Sequence, residues 1–173
     1  MENYWIQVYN NQRIGNLLEQ DLVEFLLEAN FDSLCSQYGV DEGLIVPALS
    51  QLELKGALEG VTPFYVLKYR SEDQSPLIIN QWDTDEKVGT DLLGEALIHV
   101  NQPRLKDSLR DTWEILVLSL QPDQLVDFGL VLAYEVVRWA AYKGQGLVYG
   151  LDGVWYRMNR HQAFVPFEKP PQE

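Results

Sequence analysis

The stretch PDQLVDFGLVLAYEVVRWAAYKG, residues 122–144, decides the fold. Pro122 suits a first helical position, where its missing N–H costs nothing, and Asp123 beside it suits the positive end of a helix dipole. Gly144 is a natural stop. Between them the side chains are apolar almost all round, interrupted mainly by Asp127, Glu135 and Arg138. A helix without a polar stripe must be buried, so the stretch predicts one long central helix over 122–143. Two β-like runs follow, Leu147–Leu151 and Val154–Met158, joined by Asp152-Gly153. Asp-Gly between such runs predicts a hairpin, because both residues tolerate the positive φ that tight hairpin turns demand. Helix and hairpin together predict an α+β fold, with a small, mostly antiparallel sheet packed on the long helix.

Upstream, Tyr4–Tyr9 alternates and is aromatic-rich, which reads as a strand ending at Asn10-Asn11. Leu17–Ala29 places Leu18, Leu22, Phe25 and Leu26 on one face and Glu19, Glu24 and Glu28 opposite, an amphipathic helix. A short helix over Phe31–Tyr38 closes at Gly39. A third is expected over Asp41–Leu54, with Pro47 starting or kinking it. The N-terminal third is thus read as helical. Phe64–Arg70 and Leu77–Trp82 are β-rich and joined by a polar loop, predicting an antiparallel pair. Asp91–Val100 reads as a helix. Leu105, Leu109, Trp113, Leu116 and Leu120 fit a helix while Trp113–Leu120 equally fits a buried strand, so the periodicity leaves 112–120 open, with a short helix followed by a strand as the preferred reading. The whole is read as a single domain over 1–168, with a soft sub-boundary near Gly60 and a flexible tail at 169–173.

Composition bounds the function. Hydrophobic residues are 46% and charged residues 23% of 173, ordinary for a globular chain that folds without metal or disulfide. The single cysteine, Cys35, excludes a disulfide framework and a cysteine-based zinc site. No basic leader precedes an apolar run, and the longest uncharged run in the most apolar segment, Phe128–Tyr134, falls far short of a membrane span. The expectation is a cytoplasmic protein without membrane insertion. Net charge is −13. Residues 1–60 hold ten acids against two bases, Arg13 and Lys55, leaving −8, whereas residues 101–173 hold nine acids and eight bases. A nucleic-acid binder needs a positive face for counterion release, which the first third lacks. A basic protein partner is compatible with this charge, because complementary fields speed and orient encounter.

The motifs that would carry catalysis are weak. His99 ends a predicted helix and His161 follows the last hairpin; neither belongs to a metal-ligand spacing. Cys35 has no cation nearby in sequence and reads as a small buried hydrophobe. Gly144-Gln145-Gly146 follows a helix and precedes a strand, the reverse of a phosphate loop. Asp83-Thr84-Asp85-Glu86 begins like a calcium loop, but Lys87 stands at its fifth position and no glutamate at its twelfth, so helix capping is the better reading. The expectation is a protein with no catalytic residues, no metal and no cofactor. A small metal-dependent hydrolase using Asp83, Asp85, Glu86 and a histidine is the remote alternative.

Two resemblances bear on function. Leu34-Cys35, Tyr38-Gly39-Val40-Asp41, Ile45, Ala48-Leu49, Leu52-Glu53 and Lys55-Gly56-Ala57-Leu58 resemble the helix-turn-helix core of winged-helix proteins, with Phe64–Trp82 as the wing. That implies a transcriptional regulator, but a reading helix needs bases, and this one carries Asp41 and Glu42. The block Asp127–Trp139, with Gly146–Tyr149, Asp152–Arg157 and Asn159-Arg160-His161, resembles small soluble proteins of cyanobacteria and plastids, the nearest named family being the chlororespiratory-reduction factors that help assemble the NDH complex. That resemblance implies a non-enzymatic assembly factor.

The last third also concentrates the residue types that dominate binding hot spots, Trp, Tyr and Arg. Tyr149, Trp155, Tyr156, Arg157 and Arg160 are therefore the expected partner-binding residues of a chaperone-like accessory protein. The residues set no oligomeric state.

Overall fold

The computed structural model describes residues 3–59 and 62–167, apart from the side chains of Glu59, Thr62 and Pro63. Gly60 and the tail 169–173 lie outside the described residues. The chain is α+β, with strands in the hydrogen-bonded order β2-β3-β4-β5-β1-β6-β7-β8. These are β1 (Tyr4–Asn10), β2 (Glu53–Glu59), β3 (Thr62–Lys68), β4 (Leu77–Asp83), β5 (Glu114–Leu120), β6 (Leu147–Tyr149), β7 (Trp155–Met158) and β8 (Phe164–Pro166). The sheet is larger than expected, because β2 and β8 come from segments read as helix and as irregular chain. The helices are α1 (Leu17–Glu28), α2 (Phe31–Tyr38), α3 (Ile45–Ser50), α4 (Lys87–His99), α5 (Pro103–Arg110) and α6 (Phe128–Gly144). Two compact units divide the described residues: 3–5, 16–59, 62–80 and 117–136 form the first, and 6–15, 81–116 and 137–167 the second.

In the first unit α1 buries Leu18, Leu22 and Leu26, spaced four apart on one face as its sequence predicts. Each fully buried leucine contributes about 1.5–3 kcal/mol. Phe31 of α2 meets Phe128 edge to face with ring centroids 4.9 Å apart, and Tyr38 stacks on Tyr134 at 5.2 Å. The helix expected over Asp41–Leu54 is corrected. A 3-10 turn, Glu42–Leu44, leads into the six-residue α3, and Glu53 already begins β2. Pro47 lies in the first turn of α3, where its lack of an N–H is tolerated. The wing expected over Phe64–Trp82 is likewise shifted. The hairpin that follows α3 is β2–β3, in register from Glu53↔Lys68 to Glu59↔Thr62, and β4 adds to β3 with Leu67 opposite Leu77.

The long helix expected over 122–143 is also corrected. Pro122–Val126 forms a 3-10 turn with a capping box between Gln121 and Gln124, and α6 restarts after an extended Asp127. The cause is Asp127 itself. Its carboxylate accepts from Gly129 N at 2.7 Å, capping α6, from the Tyr69 hydroxyl at 2.9 Å, and from Arg70 at 3.0 Å. Arg70 also binds Asp123 at 2.8 Å. Beyond this junction α6 is buried as its sequence requires, with Val131, Leu132, Ala133, Val136 and Val137 fully enclosed.

In the second unit β6, β7 and β8 form a meander, and β1 pairs with β6. The hairpin expected at Asp152-Gly153 is present with a longer connection. Gly150 N donates to Val154 O at 3.0 Å, Val154 N donates to the Asp152 carboxylate at 3.1 Å, and Gly153 takes the left-handed φ of 74° that favours glycine. Leu105–Leu120 is a short helix, α5, followed by the strand β5, as expected. The unit's polar centre is Glu114, only 1% exposed. Its carboxylate accepts from Ile14 N and Gly15 N, both at 3.1 Å, from Gln81 Nε2 at 3.1 Å and from Asn10 Nδ2 at 3.3 Å. Among the described residues no helix is long and apolar enough to cross a membrane.

Candidate binding site

Strand alternation sorts the expected contact residues. In β1, β6 and β7, Gln7, Tyr149 and Trp155 lie directly across from one another, and Leu147 pairs with both Tyr9 and Arg157. Paired residues share a face, so Gln7, Tyr9, Tyr149, Trp155 and Arg157 are on one side of the sheet. Tyr156, one residue on, pairs with Val148 and faces the other side. The expected contact residues Tyr149, Trp155, Tyr156, Arg157 and Arg160 therefore do not form one patch. Tyr149 and Trp155 come together. Tyr156 packs edge to face against Phe164 with centroids 6.0 Å apart and donates its hydroxyl to Asp152.

Trp155 is the centre of an aromatic cluster. Its ring centroid lies 4.9 Å from Tyr149 and 5.2 Å from Tyr9, tilted by 46° and 50°. Tilted pairs at this spacing satisfy the ring quadrupoles and hold the side chains in place. The Tyr9 hydroxyl donates to Gln7 Oε1 at 2.7 Å. Burial, and then the neighbouring Tyr149, push that hydroxyl well above the ordinary phenol range, so it stays protonated. Tyr149 and Trp155 are only half-buried. They wall a cavity of about 650 Å³ whose opposite side is built by Leu92, Glu95, Ala96 and His99 of α4 and by Gln102 and Leu105 at the start of α5. Gln102 is held by accepting from Leu105 N at 2.5 Å, which caps α5. At the rim Glu95 and His99 approach to 3.5 Å. An apolar aromatic wall with a few polar groups on the rim suits a guest side chain that is partly apolar and partly polar.

Arg157 and Arg160 belong to a second cavity, of about 590 Å³, together with Lys143 and Tyr142 at the end of α6 and Met158 of β7. Gly144 and Gly146 beside it are required by packing rather than by phosphate. A Cβ on either would come within 2.2 Å of the Asn10 side chain.

The remaining motifs resolve locally. Asp83 and Asp85 are paired with Arg13, at 3.1 and 3.6 Å. The turn they occupy leads into α4, which starts four residues earlier than expected because Thr90 bonds back to Thr84 O and Glu86 O. Among the described residues no three His, Cys, Asp or Glu side chains gather closely enough to hold a metal ion. Cys35 is buried, and burial, aided by Glu42, Asp32 and Asp41, pushes its thiol pKa up. Sequence reasoning missed Tyr9, Glu95 and Gln102 as cavity residues. Tyr9 carried a signal, because it sits in an aromatic-rich alternating strand; Glu95 and Gln102 carried none. No family model, curated protein or solved structure shows a significant match to the chain.

Proposed function

We propose that this protein is a non-catalytic accessory factor that binds another protein through the cavity walled by Tyr149 and Trp155. The observation that carries the reading is the pair of half-exposed rings, held by Tyr9 and opening onto about 650 Å³ of space. Large rigid aromatics at the rim of a pocket are the typical anchors of a protein interface. The net charge of −13 and Glu95 at the rim favour a basic partner. An assembly or chaperone-like role, as the resemblance to chlororespiratory-reduction factors implies, fits such a contact. Affinity purification from the native host tests it. Trp155→Ala, and Ala96→Trp to fill the cavity, should weaken partner retention by about tenfold or more, while Trp5→Ala, an exposed tryptophan of the first unit, should not. Retention of the same partners by folded W155A and A96W proteins would overturn the reading.

A second reading, a winged-helix-type regulator, is favoured by one observation: the order α2, turn, α3 and then the β2–β3 hairpin. Its α3 presents an exposed Val46 and no base, so retardation of duplex DNA at low salt is the result it requires.

A further inference from the structure

The cavity at the end of α6 runs against the composition of the chain. The protein has 13 Lys and Arg against 26 Asp and Glu. Yet Lys143, Arg157 and Arg160 all line this groove, and no carboxylate does. Among the described residues none of the three lies within ion-pair distance of an acid. Arg157 is half-buried on β7. A guanidinium partly withdrawn from water gains from an anion that accepts from its fork of N–H groups.

We propose that this groove binds the phosphate group of a small phosphate ester. Three cations exceed the need of a single carboxylate and match the charge of about −1.5 to −2 on a phosphate monoester. The field of the rest of the molecule restricts the ligand to a compact one. The net charge of −13 disfavours a nucleic acid or an anionic bilayer, whereas screening over about 8–10 Å lets a small anion respond to the groove alone. Tyr142, 46% exposed, and Met158 supply apolar contact for the organic part of the ester.

Phenyl phosphate is the probe, titrated against the full-length protein while amide and side-chain chemical shifts are followed. Saturable binding is expected, with shifts at Tyr142, Arg157 and Arg160. Inorganic phosphate should bind more weakly, and phenol should not bind. Arg160→Gln, at an exposed position that leaves the fold intact, should weaken phenyl phosphate about tenfold, and Arg157→Gln at least as much. Arg157→Lys, which keeps the charge but loses the fork, should fall between. Arg110→Gln, an exposed cation elsewhere in the second unit, should change nothing. Unchanged affinity in R160Q, equal loss in R110Q, or binding of phenol as tight as that of its phosphate would overturn the proposal.

Discussion

Glu114 shows how much one side chain can organise. It lies at the head of a run, Trp113–Leu120, that reads as apolar, and it is buried with four donors converging on its carboxylate. Two of those donors are backbone N–H groups of Ile14 and Gly15, which have no other use if the carboxylate is lost. Glu114→Ala should therefore destabilise the protein by about 3 kcal/mol or more, and Glu114→Gln by about 1–3, because the amide keeps one acceptor and turns an NH₂ towards the donors. Urea denaturation measures both; a cost near zero for E114A would mean that water replaces the carboxylate. The hub was not legible in the sequence. Its partners lie from 33 to 104 residues away in the chain, and a single acid before an apolar run is more often solvated than buried.

At the scale of elements, local signals sufficed wherever a pattern and its terminus agreed. The leucine spacing of α1, and Phe31–Tyr38 closed by Gly39, appear where the sequence puts them. Gly39 adopts φ 69° and ψ 31°, the left-handed cap, and Val40 N reaches back to Cys35 O at 2.9 Å. Gly39→Ala should cost about 1–2 kcal/mol, and Gly39→Asn less, since asparagine tolerates that region. Equal stability of G39A and wild type in thermal melts would contradict the cap. Local signals failed where two elements share one apolar spacing. Leu52 and the residues Lys55–Leu58 extend the helical pattern of α3, but pairing with β3 draws Glu53 onward into a strand. The break at Asp127 was hidden for a similar reason: Pro122 with Asp123 is a sound helix start, but Tyr69 and Arg70 hold Asp127 as the cap of a new one.

At the scale of the whole molecule, two buried tyrosines, one in each unit, tie stability to pH. Burial, followed by Tyr149 for Tyr9 and by Asp127 for Tyr69, raises both hydroxyls above the ordinary value of about 10. The native state then keeps protons that the unfolded chain releases. This stabilisation is complete below about pH 10 and is lost as pH climbs above it. The unfolding free energy should fall as pH rises above about 10, by up to about 1.4 kcal/mol per pH unit for each retained proton, and Tyr9→Phe and Tyr69→Phe should each flatten the slope. Urea midpoints at stepped pH check this; identical slopes in wild type and both variants would refute it. By itself the sequence determined the α+β class, the burial of the long helix and the strands flanking Asp152-Gly153, because periodicity and turn chemistry act over a few residues. Alternation along the hairpin also sets Tyr156 against Trp155. Tertiary structure alone decided that Tyr149 and Trp155 share a cavity with α4, and that Arg157 and Arg160 join Lys143. Those groupings depend on strand register and on elements far apart in the chain, which no local spacing encodes.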